Sequence, residues 1–308
     1  MAFSIGLIAG LIAMLCWGIA DFLQALVIRR LGSLKTMFFG NLLGIIITLI
    51  ITFFYMKSGG IIYITPVTLG LIVLLGLIDV IAVYSFFRSF ELGEVSIVTP
   101  ISAAFSFVTV ILAILFLGEK PSLLKIASII LIVLGIILAS IDLRKLKNFK
   151  TAKGVKESLI ALFLWGIYFF VLGFISRNLL PVYLSKYNLP LAEGMKIVAI
   201  NIFIFTGIFN SLFMLLYPVL KKEIIKPADL KIKYMLLLFI INTFLYTLAW
   251  AAVNYGLVQE MISLVTPVSS LYPAITVILA VIFLKEKMVL NQKIGVLTIL
   301  FGVFLISL

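Results

Sequence analysis

Apolar runs of membrane-spanning length follow one another along almost the whole chain. Cut at its charged and Pro/Gly-rich punctuation, the sequence yields ten of them, at about 4–28, 36–56, 66–88, 95–117, 122–141, 155–176, 194–219, 233–255, 261–284 and 289–307. A helix needs about 20 apolar residues to cross the hydrocarbon core of a bilayer. The expected fold is therefore all-α: an integral membrane protein of ten transmembrane helices, with almost nothing left for a soluble domain. The first run is too long for a signal-peptide core and no small-residue cleavage site follows it, so it is expected to stay in the mature chain.

Polar landmarks within these runs recur. Ser96, Thr99, Pro100, Glu119, Lys120 and Gly135 return 167 positions later as Ser263, Thr266, Pro267, Glu286, Lys287 and Gly302. Trp17-Gly18 returns as Trp165-Gly166 at an offset of 148, so the second copy carries extra sequence, placed between Arg177 and Glu193. Two copies of five spans are expected, residues 1–141 and 155–308, joined by a basic cytoplasmic linker at 142–154. An odd number of crossings per copy makes the second copy enter the membrane from the opposite face. Inverted repeats of this kind place substrate sites where the two bundles meet.

Composition agrees. The chain is 64% hydrophobic and only 12% charged, too few charges to cover a soluble surface. Its net charge of +12 would suit nucleic acid in a soluble protein; here it reads as a topology signal, and no nucleic-acid partner is expected. Counted over alternate loops, 18 Lys and Arg fall on one side and 6 on the other. The positive-inside rule puts the larger set in the cytoplasm and both termini outside. There is one cysteine, Cys16, and no histidine. Intramolecular disulfides, histidine metal sites, Ser-His triads and histidine proton relays are excluded together, and no metal or cofactor is expected.

Trp17-Gly18 in the first span, Thr99-Pro100 at the start of the fourth and Leu117-Gly118-Glu119-Lys120-Pro121 at its end resemble the EamA-type transporters of the drug/metabolite transporter superfamily. The second copy carries the same marks, with Lys285 in place of the usual glycine. The resemblance covers nearly the whole chain. It implies a ten-helix fold of two inverted five-helix repeats that moves small metabolites, often amino acids, by alternating access. It implies no single substrate.

Candidate working residues are the polar groups that lipid would not tolerate. Asp21 and Asp79 are acids inside spans, and a carboxylate there costs about 2.5–3.5 kcal/mol on insertion scales. Each can bind a substrate amine, exchange a proton or coordinate a cation; hydrogen-bonded stitching between helices is the plainer alternative. In the repeat alignment Asp79 falls opposite Tyr246 and Asp21 opposite Phe169, so the acids break the symmetry, as an asymmetric solute requires. Asn242, Tyr246, Trp250 and Asn254 form a stripe at steps of four on the eighth span. Packing against another helix and lining a cavity both stay open for the asparagines. Trp17, Asp21 and Gln24 share one face of the first span, and Trp165 and Tyr168 one face of the sixth. Tryptophans favour membrane interfaces, yet Trp17 and Trp165 lie deep in their spans, which suits cavity walls and cation–π contact with amines.

Three prolines mark candidate hinges. Pro100 and Pro267 lie in the first two turns of the fourth and ninth spans, each freeing the carbonyl four residues earlier, and Thr99 and Thr266 stand ready to satisfy it. Pro273, beside Tyr272, has Ser106 as its counterpart. Gly135 and Gly302 read as close helix contacts. Arg88 reads as an interfacial anchor paired with Glu91 or Glu94.

The expected function is secondary transport of small metabolites, amino acids or similar amphipathic solutes, outward across the cytoplasmic membrane. The expected substrate-binding set is Trp17, Asp79, Trp165, Tyr168, Asn242, Tyr246, Trp250 and Tyr272, with ion or proton coupling at Asp79 and Asp21. No nucleophile stands beside a base at a recognisable spacing, so an enzyme is not expected. A non-transporting scaffold or receptor and an uncoupled facilitator remain as alternatives. Monomer and homodimer both stay open.

Overall fold

The computed structural model describes residues 5–117, 122–140, 153–226, 234–259 and 262–306. Glu119, Lys120 and most of the 142–154 linker lie outside the described residues. The described residues form twelve helices and no strand: α1 (Ile5–Leu31), α2 (Ser33–Lys57), α3 (Pro66–Leu92), α4 (Val95–Ala103), α5 (Phe105–Leu117), α6 (Leu123–Ser140), α7 (Val155–Tyr187), α8 (Leu191–Leu220), α9 (Met235–Gln259), α10 (Ile262–Ser269), α11 (Pro273–Phe283) and α12 (Leu290–Ile306). Among them seven stretches are long and apolar enough to cross a membrane, one being Val95–Phe116 taken through α4 and α5; α6, α11 and α12 contain shorter apolar segments.

Two expected spans are each broken in two. The fourth divides at Ala104 and the ninth at Ser270–Tyr272, sites that the 167-residue offset superposes. Tight bonds mark both breaks: Ala104 N–H donates to the carbonyls of Pro100 and Ile101, and those of Leu271 and Tyr272 to Val268 and Ser269. Such i→i+3 bonding is the 3₁₀ geometry of a helix under interruption. Pro273 opens α11 at its first position, where its missing donor costs nothing. The first copy breaks with Ser106 there instead, so Pro273 sharpens the break without causing it. The expected role for the threonines is not met: Thr99 Oγ1 and Thr266 Oγ1 are buried without partners. Serines supply the local bonds, Ser102 to Val98 O at 3.0 Å and Ser270 to Thr266 O at 2.6 Å.

Three boundaries also move. The extra sequence of the second copy lengthens α7, which carries Arg177 and Pro181 within it and ends at Tyr187. Helix α3 runs past Arg88 to Leu92, and Arg88 pairs with Glu91 one turn on. Helix α1 continues to Leu31, so Asp21 lies deeper in its helix than the sequence boundary of 28 places it.

Packing interleaves the halves. Helix α1 packs on α9, α3 on α7, α2 on α8, α4 on α11, α5 on α10 and α6 on α12, so each of these pairs joins residues before the linker to residues after it. Exchanging the halves maps this set of pairings onto itself. The outer faces are apolar, with Leu15, Ile46, Phe53 and Phe244 exposed, while Asp21, Gln24, Asp79 and Asn242 are buried. That is the reverse of a water-soluble fold and is what a lipid solvent requires.

One of the repeated signature residues has a structural task. The carboxylate of Glu286 accepts hydrogen bonds from Val95 N at 3.1 Å and Ser96 N at 2.8 Å and pairs with Arg29. It thereby caps α4, whose own N-terminal residue Glu94 makes no side-chain capping bond, and complements the positive end of the helix dipole. Burial raises the Glu94 carboxyl above its ordinary value; neighbouring Glu286 raises it further and Arg29 opposes the rise. Glu286→Ala leaves two N–H groups without acceptors and is expected to destabilise the protein by about 2 kcal/mol. A fall in thermal midpoint of the detergent-solubilised protein, smaller for Glu286→Gln, would register it.

Candidate functional site: a two-carboxylate cavity at the seam

The centre of the bundle holds a cavity of about 190 Å³. Its walls come from both halves. Helix α1 supplies Trp17, Asp21 and Gln24, a single helical face as the i, i+4, i+7 spacing requires. Helix α3 contributes Asp79, α7 Trp165, and α9 Asn242, Tyr246 and Trp250. Tyr272 enters from the break before α11 and Phe105 from the start of α5. The interrupted helices thus place aromatic side chains where an unbroken helix would run past.

From this centre the cavity extends towards one end of the bundle, past Thr36 of α2, Phe87 of α3, Met214 of α8 and Thr243 of α9. The other end is covered. There the segment joining α2 to α3 folds inwards: Asn201 of α8 donates to Ile61 O at 2.8 Å and accepts from Tyr63 N at 3.0 Å. Tyr183 of α7 donates to Tyr63 O, and the Lys186 ammonium sits 3.3 Å from the centroid of the Tyr63 ring.

Each acid is held by the opposite half. Asp79 Oδ1 accepts from Trp165 Nε1 at 3.0 Å and Oδ2 from Asn210 Nδ2 at 2.9 Å. Asp21 accepts from the Tyr246 hydroxyl. Both carboxylates are 2% exposed. Tyr246, the counterpart of Asp79 in the repeat alignment, lines the same cavity and bonds to Asp21. Two asparagine readings hold together at Asn242, which lines the cavity and donates to Ala20 O of α1 at 2.9 Å. Asn254 does not line it and donates to Trp250 O.

Of the eight residues expected to bind substrate, Tyr168 alone is not on the cavity wall. It is fully buried behind it, its hydroxyl accepting from Asn210 at 2.9 Å. Pro100 and Pro273 also stand off the wall, in and beside the broken helices; Pro267 lies within α10, and its side chain is outside the described residues. The sequence reading missed Asn210, which shares a helical face with Thr206 in an otherwise apolar run; that pair was the available signal. Aromatic rings form the rest of the enclosure. Trp17 lies edge-on to Trp250 at 5.5 Å and to Tyr272 at 6.0 Å, while Phe169 stacks between Trp250 at 5.7 Å and Phe105 at 4.6 Å. Among the described residues no group of His, Cys, Asp and Glu is arranged to hold a metal.

A 69-residue stretch is 41% identical to the "Uncharacterized protein MJ1333.1" of Methanocaldococcus jannaschii, covering 22% of this chain and 50% of that relative. The match therefore spans about half of the relative's length. One protein of known crystal structure aligns over 100% of this chain and 99% of its own with a TM-score of 0.60; at 14% identity it speaks for the fold alone. The EamA-like transporter family matches residues 4–141 and again residues 153–308. A multi-pass helical bundle, buried acids at the meeting of two halves and a family match that runs through both of them lead to one assignment: this chain belongs to the EamA-like transporter family.

Proposed function

We propose that this protein is a secondary transporter that carries small amphipathic metabolites outward across the cytoplasmic membrane by alternating access. The observation that carries the reading is the central cavity, walled by both halves, with each buried acid bonded to the half it does not belong to. A site so divided changes when the halves rock against one another. Ten crossings as two inverted five-helix repeats, at 1–141 and 155–308, fit the exchange-symmetric helix pairing and the twofold family match. The relative from M. jannaschii, of which 69 residues are half, is about as long as one such repeat, which supports duplication. The cavity extends towards Thr36, at the start of α2, and the turn there carries Arg29, Arg30 and Lys35, the side that the positive-inside rule assigns to the cytoplasm, with both termini outside. Asp79 and Asp21 are the groups available for proton or cation coupling, since both are carboxyl groups within spans that face the cavity.

Reconstitution into sealed liposomes tests this. A solute that binds the purified protein should cross the bilayer, and an imposed proton or sodium gradient should drive its accumulation. Movement without gradient coupling would leave an uncoupled facilitator. Binding with no flux under any gradient would leave a receptor or scaffold and sink the transporter.

A further inference from the structure

The cavity wall carries formal charge of one sign. Asp21 and Asp79 line it, and among the described residues no Lys or Arg does. Asn210 adds an acceptor: its NH₂ serves Asp79 Oδ2 and Tyr168 Oη, each at 2.9 Å, and its Oδ1 is buried without a partner. Three of the wall's donors are already committed, and others, on Gln24, Trp17, Trp250 and Tyr272, are neutral groups that bring no positive charge. The Trp165 N–H serves Asp79, the Tyr246 hydroxyl serves Asp21, and Asn242 serves Ala20 O. Transporters often place a solute carboxylate at the N-terminus of a broken helix. Here the N–H groups of Ser270, Leu271, Tyr272, Ala274, Ile275 and Thr276 all have carbonyl acceptors, and Pro273 has none to give. The start of α11 therefore offers nothing to an anion.

We propose that the solute is an amphipathic organic amine that lacks a carboxylate. Its ammonium group lies against Asp79, Asp21 and Asn210 Oδ1, and its apolar body lies among Trp17, Trp250 and Tyr272. The proposal rests on the transporter reading above and narrows it. An α-amino acid would bring its own carboxylate into an enclosed pocket beside two like charges with no described cation to meet it, which burial penalises heavily. An amine of the same shape meets acceptors at its charged end and aromatic faces along its body, the arrangement that cation–π attraction favours.

Matched ligand series test this on the unaltered protein. Binding of phenethylamine and tryptamine, measured calorimetrically in detergent, is compared with that of phenylalanine, tryptophan and 3-phenylpropionate. The expected result is that each amine binds about tenfold or more tighter than its amino acid, with no measurable binding of the acid. Phenylalanine or tryptophan binding as tightly as its amine, binding of 3-phenylpropionate, or no binding by either amine would overturn the proposal. Flux of the same compounds in proteoliposomes separates it from the broader reading. Amines that bind and do not cross would remove the transporter and leave the site; amino acids that cross while amines do not would remove the amine site and leave the transporter.

Discussion

Asp79→Asn is expected to slow transport about 100-fold, and Asp21→Asn only about tenfold, because the two acids are held differently. Both oxygens of Asp79 face nitrogen donors, Trp165 Nε1 and Asn210 Nδ2. An asparagine there can accept from one of them only; its own NH₂ then confronts the other, and a buried donor is left without an acceptor. That mismatch, added to the lost charge, is worth about 3 kcal/mol. Asp21 faces a single hydroxyl, that of Tyr246, which can donate to an amide oxygen as well as to a carboxylate. Initial rates in proteoliposomes, normalised to folded protein, give the comparison. An Asp79→Asn protein that keeps half the wild-type rate would remove Asp79 from the site.

A second large effect is expected from adding one carbon at Gly295. A Cβ there would lie 2.4 Å from Ala139 N and 2.7 Å from Gly135 O, both backbone atoms of α6. Gly135 stands in the same position towards Gly295 O, at 2.8 Å, and a Cβ at Gly302 would meet Ile132 and Ser128 O. Backbone cannot swing aside as a side chain can, so α6 and α12 would have to separate along their whole crossing. Overpacking of this kind costs about 3 kcal/mol. Gly70 of α3 makes the control: a Cβ there meets nothing within 4 Å, so Gly70→Ala should be neutral or gain up to about 1 kcal/mol of helix propensity. Unfolding titrated with a denaturing detergent should show Gly295→Ala unfolding well before wild type and Gly70→Ala no earlier. Equal midpoints for the two variants would contradict the close backbone crossing.

Much of the architecture was legible because lipid imposes a simple code. A segment that must satisfy every backbone group internally becomes a helix, and one that meets hydrocarbon becomes apolar. Hence the helix-bearing regions follow the apolar runs within a few residues at most ends, and Gly135 and Gly302, small residues at equivalent positions of the two copies, read as close contacts. The site was legible in kind for a related reason: a carboxylate or amide in such a run has to face inwards, which singled out Asp21, Asp79 and Asn242. Where the code is silent the reading failed. The breaks at Ala104 and Ser270–Tyr272 lie inside continuously apolar sequence, and nothing in hydropathy records a change of hydrogen-bond partner. The lengthening of α7 through Arg177 and Pro181 defeated a boundary drawn at charge and proline.

The amino-acid sequence by itself determined which segments are helical, that they come in two related sets, and which few side chains are too polar for lipid. Tertiary structure alone decided who meets whom. Alignment of two copies compares equivalent positions, whereas packing about a shared axis also brings non-equivalent elements together, α1 against α9 and α3 against α7, beside the equivalent pairs α2 with α8 and α6 with α12. For that reason Asp79 meets Trp165 and Asn210, Asp21 meets Tyr246, and Tyr168 stands behind the wall its neighbours form. The sign of the cavity was settled in the same way. A chain of net charge +12 encloses two carboxylates in a wall that, among the described residues, holds no lysine or arginine, because buried donors on the opposite half hold each acid in place.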